Sequence, residues 1–172
     1  MADARDLFRL GMRRVSGTVT VVTTTGPDGE RRGVTATAFC SLSADPPSVL
    51  ACINRETWVG QLAPVSGNFC INVLSADQQD VAEVFAGRAG LAAGERFGVG
   101  RWHQGASGAP VLEGALVSFD CRLDKAVDHA THVILIGAVI ETVTEEDPGD
   151  ALIYADGHFT RPAAPLPMAA SA

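Results

Sequence analysis

The 172-residue chain is defined first by the signatures it lacks. It contains no G-x-G-x-x-G after a strand, no G-x-x-x-x-G-K-[ST], no G-x-S-x-G and no H-E-x-x-H. No standard hydrolase, kinase or metalloenzyme signature is therefore present. His103, His129, His132 and His158 are not spaced as a metal set, and no metal is expected. Cys40, Cys52, Cys70 and Cys121 form no C-x-x-C pair, and three of them sit in apolar, strand-like runs. They read as reduced thiols of a cytosolic protein rather than as disulfides. No apolar run reaches the roughly 18 residues of a membrane span. The first residues lack the apolar core of a signal peptide, so a cytoplasmic location is expected. A net charge of −7 supplies no basic face and argues against a nucleic-acid partner. It leaves room for an anionic ligand held by a few local arginines.

What the chain does have is a core. Apolar residues make up 47% and charged residues 19%, a globular balance with apolar surface to spare for a subunit interface. A chain this long buries about 70% of its unfolded surface and needs no disulfide or metal to fold. One domain is expected over 1–161, with an Ala- and Pro-rich flexible tail over 162–172.

Periodicity predicts a helix over 6–15, where Leu7, Phe8, Leu10 and Met12 alternate with arginines, ended by Gly17. A β-branched strand over 18–25 leads into the turn Gly26-Pro27-Asp28-Gly29, so the next run, 33–41, should return antiparallel. Asp45-Pro46-Pro47 stops that run before a buried strand over 48–53. Thr57 is the N-cap of a helix carrying Trp58, Val59, Leu62 and Ala63. A strand over 68–74 and a helix over 77–87 follow, then a Gly-rich surface excursion over 88–110. Long strands are expected over 115–126 and 132–145, and a short one over 152–154. Strands and helices do not alternate as βαβ units. An antiparallel, mainly β barrel or sandwich with helical insertions is favoured over a doubly wound sheet.

Two stretches could carry chemistry. Residues 33–47 form a run of small and hydroxylated side chains against which a planar ligand could lie, with backbone N–H groups and hydroxyls for its polar edge. The same pattern fits an ordinary half-buried strand. Residues 51–58 end in a helix start beside Arg55, a place for a phosphate or simply a capped helix with a solvated arginine.

Read together, four blocks resemble the flavin-reductase family of two-component monooxygenases. They are 12–23, with Arg14-Val15-Ser16-Gly17; 33–54, with Asp45-Pro46-Pro47; 67–74, with Gly67-Asn68-Phe69; and 131–137, with Thr131-His132-Val133. Phe85-Ala86-Gly87-Arg88 and Gly108-Ala109-Pro110 add to the likeness, which runs from about residue 7 to residue 159. The resemblance implies an FMN-binding split barrel, an antiparallel six-stranded barrel of Greek-key type with short helices. It also implies a homodimer with flavin near the subunit interface, and hydride transfer from NADH or NADPH to FMN or FAD. Reduced flavin would then serve a flavin-dependent monooxygenase.

By the same resemblance, Thr35, Ala36, Thr37, Ala38, Cys40 and Ser41 match the segment that holds the isoalloxazine. Cys52, Asn54, Thr57 and Trp58 match positions around the ribityl chain and phosphate. Phe85 and Arg88 match a segment whose basic residue lies near the phosphate, where a guanidinium can grip two oxygens. His132 matches the histidine beside the nicotinamide, in the catalytic position. Asp156, Gly157 and His158 match a C-terminal segment that closes over the nicotinamide, and a plain turn fits them too. Ala130 stands where the family carries glycine, so a positive φ there would be strained. Hydride transfer requires the two rings stacked at about 3–3.5 Å, with the protein orienting the cofactors rather than supplying a catalytic dyad. Two other readings keep a related fold: a flavin-binding electron-transfer or sensor module without rapid NAD(P)H turnover, and a pyridoxamine-phosphate-oxidase-like or haem-handling barrel.

Overall fold

Burial alternates residue by residue over 48–53 and 132–137, and an antiparallel sheet uses that alternation. The computed structural model describes residues 3–147 and 149–163. Most of the expected 162–172 tail thus lies outside the described residues.

In chain order the elements are α1 (Ala4–Arg13), β1 (Gly17–Thr18), β2 (Thr20–Thr25), β3 (Arg31–Ala36), β4 (Phe39–Ala44) and β5 (Pro47–Asn54). Next come α2 (Trp58–Ser66), β6 (Asn68–Val73) and α3 (Gln79–Phe85). Then follow β7 (Trp102–Gln104), β8 (Pro110–Leu112), β9 (Val117–His129), β10 (His132–Thr144), β11 (Ile153–Ala155) and β12 (His158–Thr160). The main sheet has seven strands in the order β3-β2-β6-β9-β10-β5-β4. Its two edges, β3 and β4, are consecutive in sequence and joined only by Thr37-Ala38. Three Cα steps reach at most about 11 Å, so the sheet must curl until its edges nearly meet. The result is a split barrel, with a seam where the ladder is not closed.

That seam explains the difference from the six strands expected. The run 33–41 is not one strand; it breaks at Thr37-Ala38, and its halves lie on opposite edges. The excursion 88–110 is better anchored than its glycines suggest. Phe97 is buried, stacking edge-to-face with Phe85 and Trp102 at 5.1 Å, while Phe85 and Trp102 stand 5.3 Å apart. Buried Asp120 accepts hydrogen bonds from the Ser107 backbone N–H and hydroxyl, so its carboxylate pins the loop rather than standing unpaired. A small sheet, β1-β11-β12, closes one end of the fold, and β12 is a strand the periodicity did not reveal.

Two large apolar clusters fill most of the fold, beside a small one of Cys70, Ala109 and Val111. In one, Val59 and Ala63 of α2 pack with Val22, Ile53, Phe69, Ile71 and Leu135. In the other, Val81 and Phe85 of α3 pack with Val19, Leu74, Phe97 and Leu152. Helix α1 joins neither: it buries no residue, and Leu7, Phe8, Leu10 and Met12 are all at least half exposed.

Candidate active site

At the seam, β3, the Thr37-Ala38 link and the end of β5 open onto a cavity of about 380 Å³. Thr35, Ala36, Thr37 and Ala38 line one wall. The Thr35 hydroxyl is used locally, donating to the Ala82 carbonyl at 2.7 Å, which ties this wall to α3. The link is tied to β5 by the Cys52 N–H donating to the Ala38 carbonyl at 2.8 Å. β3 is an edge strand, so one row of its backbone groups has no ladder partner. Those groups are available to a ligand's polar rim.

The facing wall is the β5–α2 junction, with Cys52, Ile53, Asn54 and Thr57. Thr57 caps α2 as its residue type predicts: its hydroxyl accepts from the Gly60 N–H at 3.1 Å and donates to the Asn54 carbonyl at 2.7 Å. Asn54 Oδ1 accepts from the Glu56 N–H at 2.9 Å, which fixes the turn. Gly60 is required for this geometry, because a Cβ there would lie 2.4 Å from the Asn54 carbonyl oxygen.

Arg88 reaches the cavity by a helix stop. Gly87, at φ +78°, ends α3; its N–H donates to the Val84 carbonyl and the Arg88 N–H to the Glu83 carbonyl. This paired pattern is the Schellman motif, and it turns the chain so that Arg88 lines the pocket. Beyond it, Tyr154 and Phe159 form the wall contributed by β11 and β12.

His132 enters from the β9–β10 hairpin, whose two-residue loop is Ala130-Thr131. Ala130 sits at φ +47°, a conformation that suits glycine, so the departure from the family pattern is a strained one. The register sets His132 opposite Asn54, and the Arg55 N–H donates to the Thr131 carbonyl at 3.1 Å. His132 Nδ1 lies 2.9 Å from the Thr131 hydroxyl. With that hydroxyl donating, the ring proton resides on Nε2, which is then free to donate.

The other expected residues lie off this cavity. Cys40 is exposed on β4, and Ser41 lines a separate apolar groove with Phe39, Val49 and Phe119. Trp58 is 58% exposed, with Arg32 over its ring at 5.4 Å. Phe85 is corrected to a core residue: it is 1% exposed, its ring closed in by Phe97 and Trp102. Asp156 and Gly157 form the β11–β12 turn, bound by the Asp156 N–H to the Arg13 carbonyl at 3.0 Å, and the His158 ring folds back on the Asp156 carbonyl. The sequence reasoning did not assign Val19, Val34, Ile53, Ala86, Tyr154 or Phe159 as lining residues. Tyr154 could have been flagged, being the only tyrosine in the chain.

The cavity suits a flavin. Its size is that of a small-molecule site. Val19, Val34, Ile53 and Phe159 give apolar walls, Ala36 and Ala38 leave the backbone approachable, and Arg88 offers a cation for a phosphate. The buried thiols lie off the cavity: Cys121 is pushed up to about 12 by burial and by the Asp120 carboxylate, and Cys70 is raised by burial first, then by Asp120, Cys121 and Glu141.

Comparisons with known proteins agree with this geometry. The family model described as "Flavin reductase like domain" matches residues 12–163. An FMN reductase (NADH) RutF from Stutzerimonas stutzeri is 40% identical over 150 residues, covering 87% of this chain and 84% of that protein. BorF, the flavin reductase component of a bacterial two-component tryptophan halogenase, superposes with a TM-score of 0.82 at 35% identity, covering 92% of this chain and 98% of BorF. The NADH:FAD oxidoreductase SgcE6 from Streptomyces globisporus C-1027, solved with NAD and FAD fragments, gives 0.83 at 30% identity, over 95% and 96%.

Proposed function

The chain belongs to the family of the flavin reductase like domain and is an NAD(P)H:flavin oxidoreductase, and within that class we propose that it uses NADH to reduce FMN at the seam cavity. The observation that carries the reading is that one cavity combines an approachable edge strand, apolar walls, Arg88 and His132. NADH and FMN are preferred because they are named for a relative that matches most of the chain.

When bound, flavin and nicotinamide supply the hydride chemistry themselves. The residues of this chain orient and exclude. Ala36 and Ala38 leave room for a ring plane against the backbone, and Arg88 grips phosphate through its fork of donors. Val34, Ile53 and Phe159 keep water from the walls. His132 would orient the nicotinamide carboxamide through a ring nitrogen.

The proposal extends to partners. Reduced flavin passes to a separate flavin-dependent monooxygenase, as BorF, named as a reductase component, supports for a halogenase. The working unit is a homodimer: the exposed apolar face of α1 is the surface that a second copy would cover. A cytoplasmic setting is supported by four cysteines that all stand as free thiols.

The test is aerobic oxidation of NADH, then NADPH, by the purified protein with FMN, FAD or no flavin. Flavin-dependent turnover, fastest with NADH and FMN, is expected. Saturable flavin binding without turnover would move the function to an electron-transfer or sensor module. Light scattering giving a monomer at working concentration would remove the dimer.

A further inference from the structure

The C-terminal strands set two aromatic rings against Arg88, and from this cluster we infer that Tyr154, seconded by Phe159, is a positioning residue that aims the Arg88 guanidinium at a phosphate-bearing ligand. The inference rests on the flavin reading of the same cavity. Tyr154 and Phe159 are direct cross-strand partners on β11 and β12, their ring centroids 5.2 Å apart at 65°. Arg88 Nη2 donates to the Tyr154 hydroxyl at 3.3 Å. The guanidinium carbon lies 5.9 Å from the Tyr154 ring centroid and 5.5 Å from that of Phe159. All three side chains line the cavity.

The chemistry of the partners is what points to a ligand. Arg88 follows a helix stop and is exposed, so its long side chain would otherwise sample many rotamers. The two rings and one hydroxyl confine it without cancelling its charge. Among the described residues the ion pairs are made by Arg13, Arg101 and Arg161, and not by Arg88. A carboxylate in the place of Tyr154 would position the guanidinium equally well and would repel a phosphate. A neutral hydroxyl takes one of its five N–H donors and leaves the rest for oxygen acceptors. Preorganisation of this kind raises affinity by lowering the ordering cost on binding. The phosphate could belong to the flavin or to the nicotinamide cofactor, and the experiment separates the two.

KM is measured for FMN and for riboflavin, which lacks the phosphate, at saturating NADH, and for NADH at saturating riboflavin. Tyr154→Phe keeps the ring and removes only the hydroxyl. It is expected to lower the preference for FMN over riboflavin about three- to tenfold, the range for the net worth of one ordinary hydrogen bond, since solvent weakens this exposed one. Arg88→Ala should lower it at least as far, and the double variant no further than Arg88→Ala alone. If the flavin preference holds and the KM for NADH rises by that factor instead, the inference stands with the nicotinamide cofactor as the source of the phosphate. Tyr154→Phe that weakens FMN and riboflavin equally, or that matches wild type in every KM while Arg88→Ala does not, overturns it. Absence of NADH oxidation with any flavin would sink the proposed function instead. Fluorescence titration with FMN and riboflavin would still read the preference in that case.

Discussion

Gly60→Ala is the substitution whose sign separates tertiary constraint from local propensity. Gly60 lies in the first turn of α2, where alanine is ordinarily better than glycine by about 1 kcal/mol. Here a Cβ would meet the Asn54 carbonyl oxygen at 2.4 Å, the Arg55 Cα at 2.9 Å and the Asn54 carbonyl carbon at 3.1 Å. All three are backbone atoms, and no side chain can swing aside. Reaching ordinary contact requires the helix to retreat from the β5 end by roughly 1 Å, and overpacking against an unyielding neighbour costs about 3 kcal/mol. The net loss is about 2 kcal/mol, or a fall in Tm of about 4–8 °C for a domain of this size. Asn54 and Thr57, on either side of the contact, both line the cavity, so the retreat also displaces the site. FMN affinity should fall about tenfold, since a shift near 1 Å in a positioning group costs up to about a hundredfold. Gly11→Ala in α1 is the matched control, because a Cβ there meets nothing within 4 Å. It should raise stability or leave it unchanged. Thermal unfolding and a flavin titration of both variants decide the matter. A Gly60→Ala protein at least as stable as wild type would refute the argument that close backbone approach is what Gly60 provides.

Three further outcomes are expected. At position 130, where φ is +47°, thermal stability should rank Gly at or above Ala and Val lowest, by about 1 kcal/mol or more, because a β-branched residue fits the left-handed region worst. Equal stability of the Val and Ala forms would show that this turn relaxes freely. His132→Ala should raise the KM for NADH or lower turnover while FMN binding, followed by fluorescence quenching, persists; unchanged kinetics would remove His132 from the site. The Cys121 thiol, at about 12 in the folded protein, and Cys70, also raised, keep protons that the unfolded chain gives up near about 8.5. Their contribution to stability is therefore complete below that value and is lost as pH rises towards 12. Urea midpoints should fall between about pH 8 and about pH 10.5, and less steeply in a Cys121→Ala variant corrected for its own loss of packing.

Much of the site was legible because its signals are local. Thr57 announces an N-cap and the dense β-branched runs announce strands; each depends on residues only a few positions away. The missed elements depend on distant partners. Nothing near residues 37–38 says that the chain crosses there from one sheet edge to the other. Phe85 resembles a ligand contact by its position in a motif, yet Phe97 and Trp102, brought in by a Gly-rich excursion, close over it. The helix of α1 was legible from its period, but that its apolar stripe is left unburied among the described residues was not.

The sequence by itself determined the mainly β class, the reduced thiols, the caps and turns, and the family to which the blocks belong. Only the tertiary structure decided which of the named residues share a space. A seven-strand register sets His132 opposite Asn54, and two short C-terminal strands bring Tyr154 and Phe159 to Arg88. The reason is physical: hydrogen-bonding preference and φ restrictions act over a few residues, whereas a cavity exists only where segments far apart in sequence are held together by a common core.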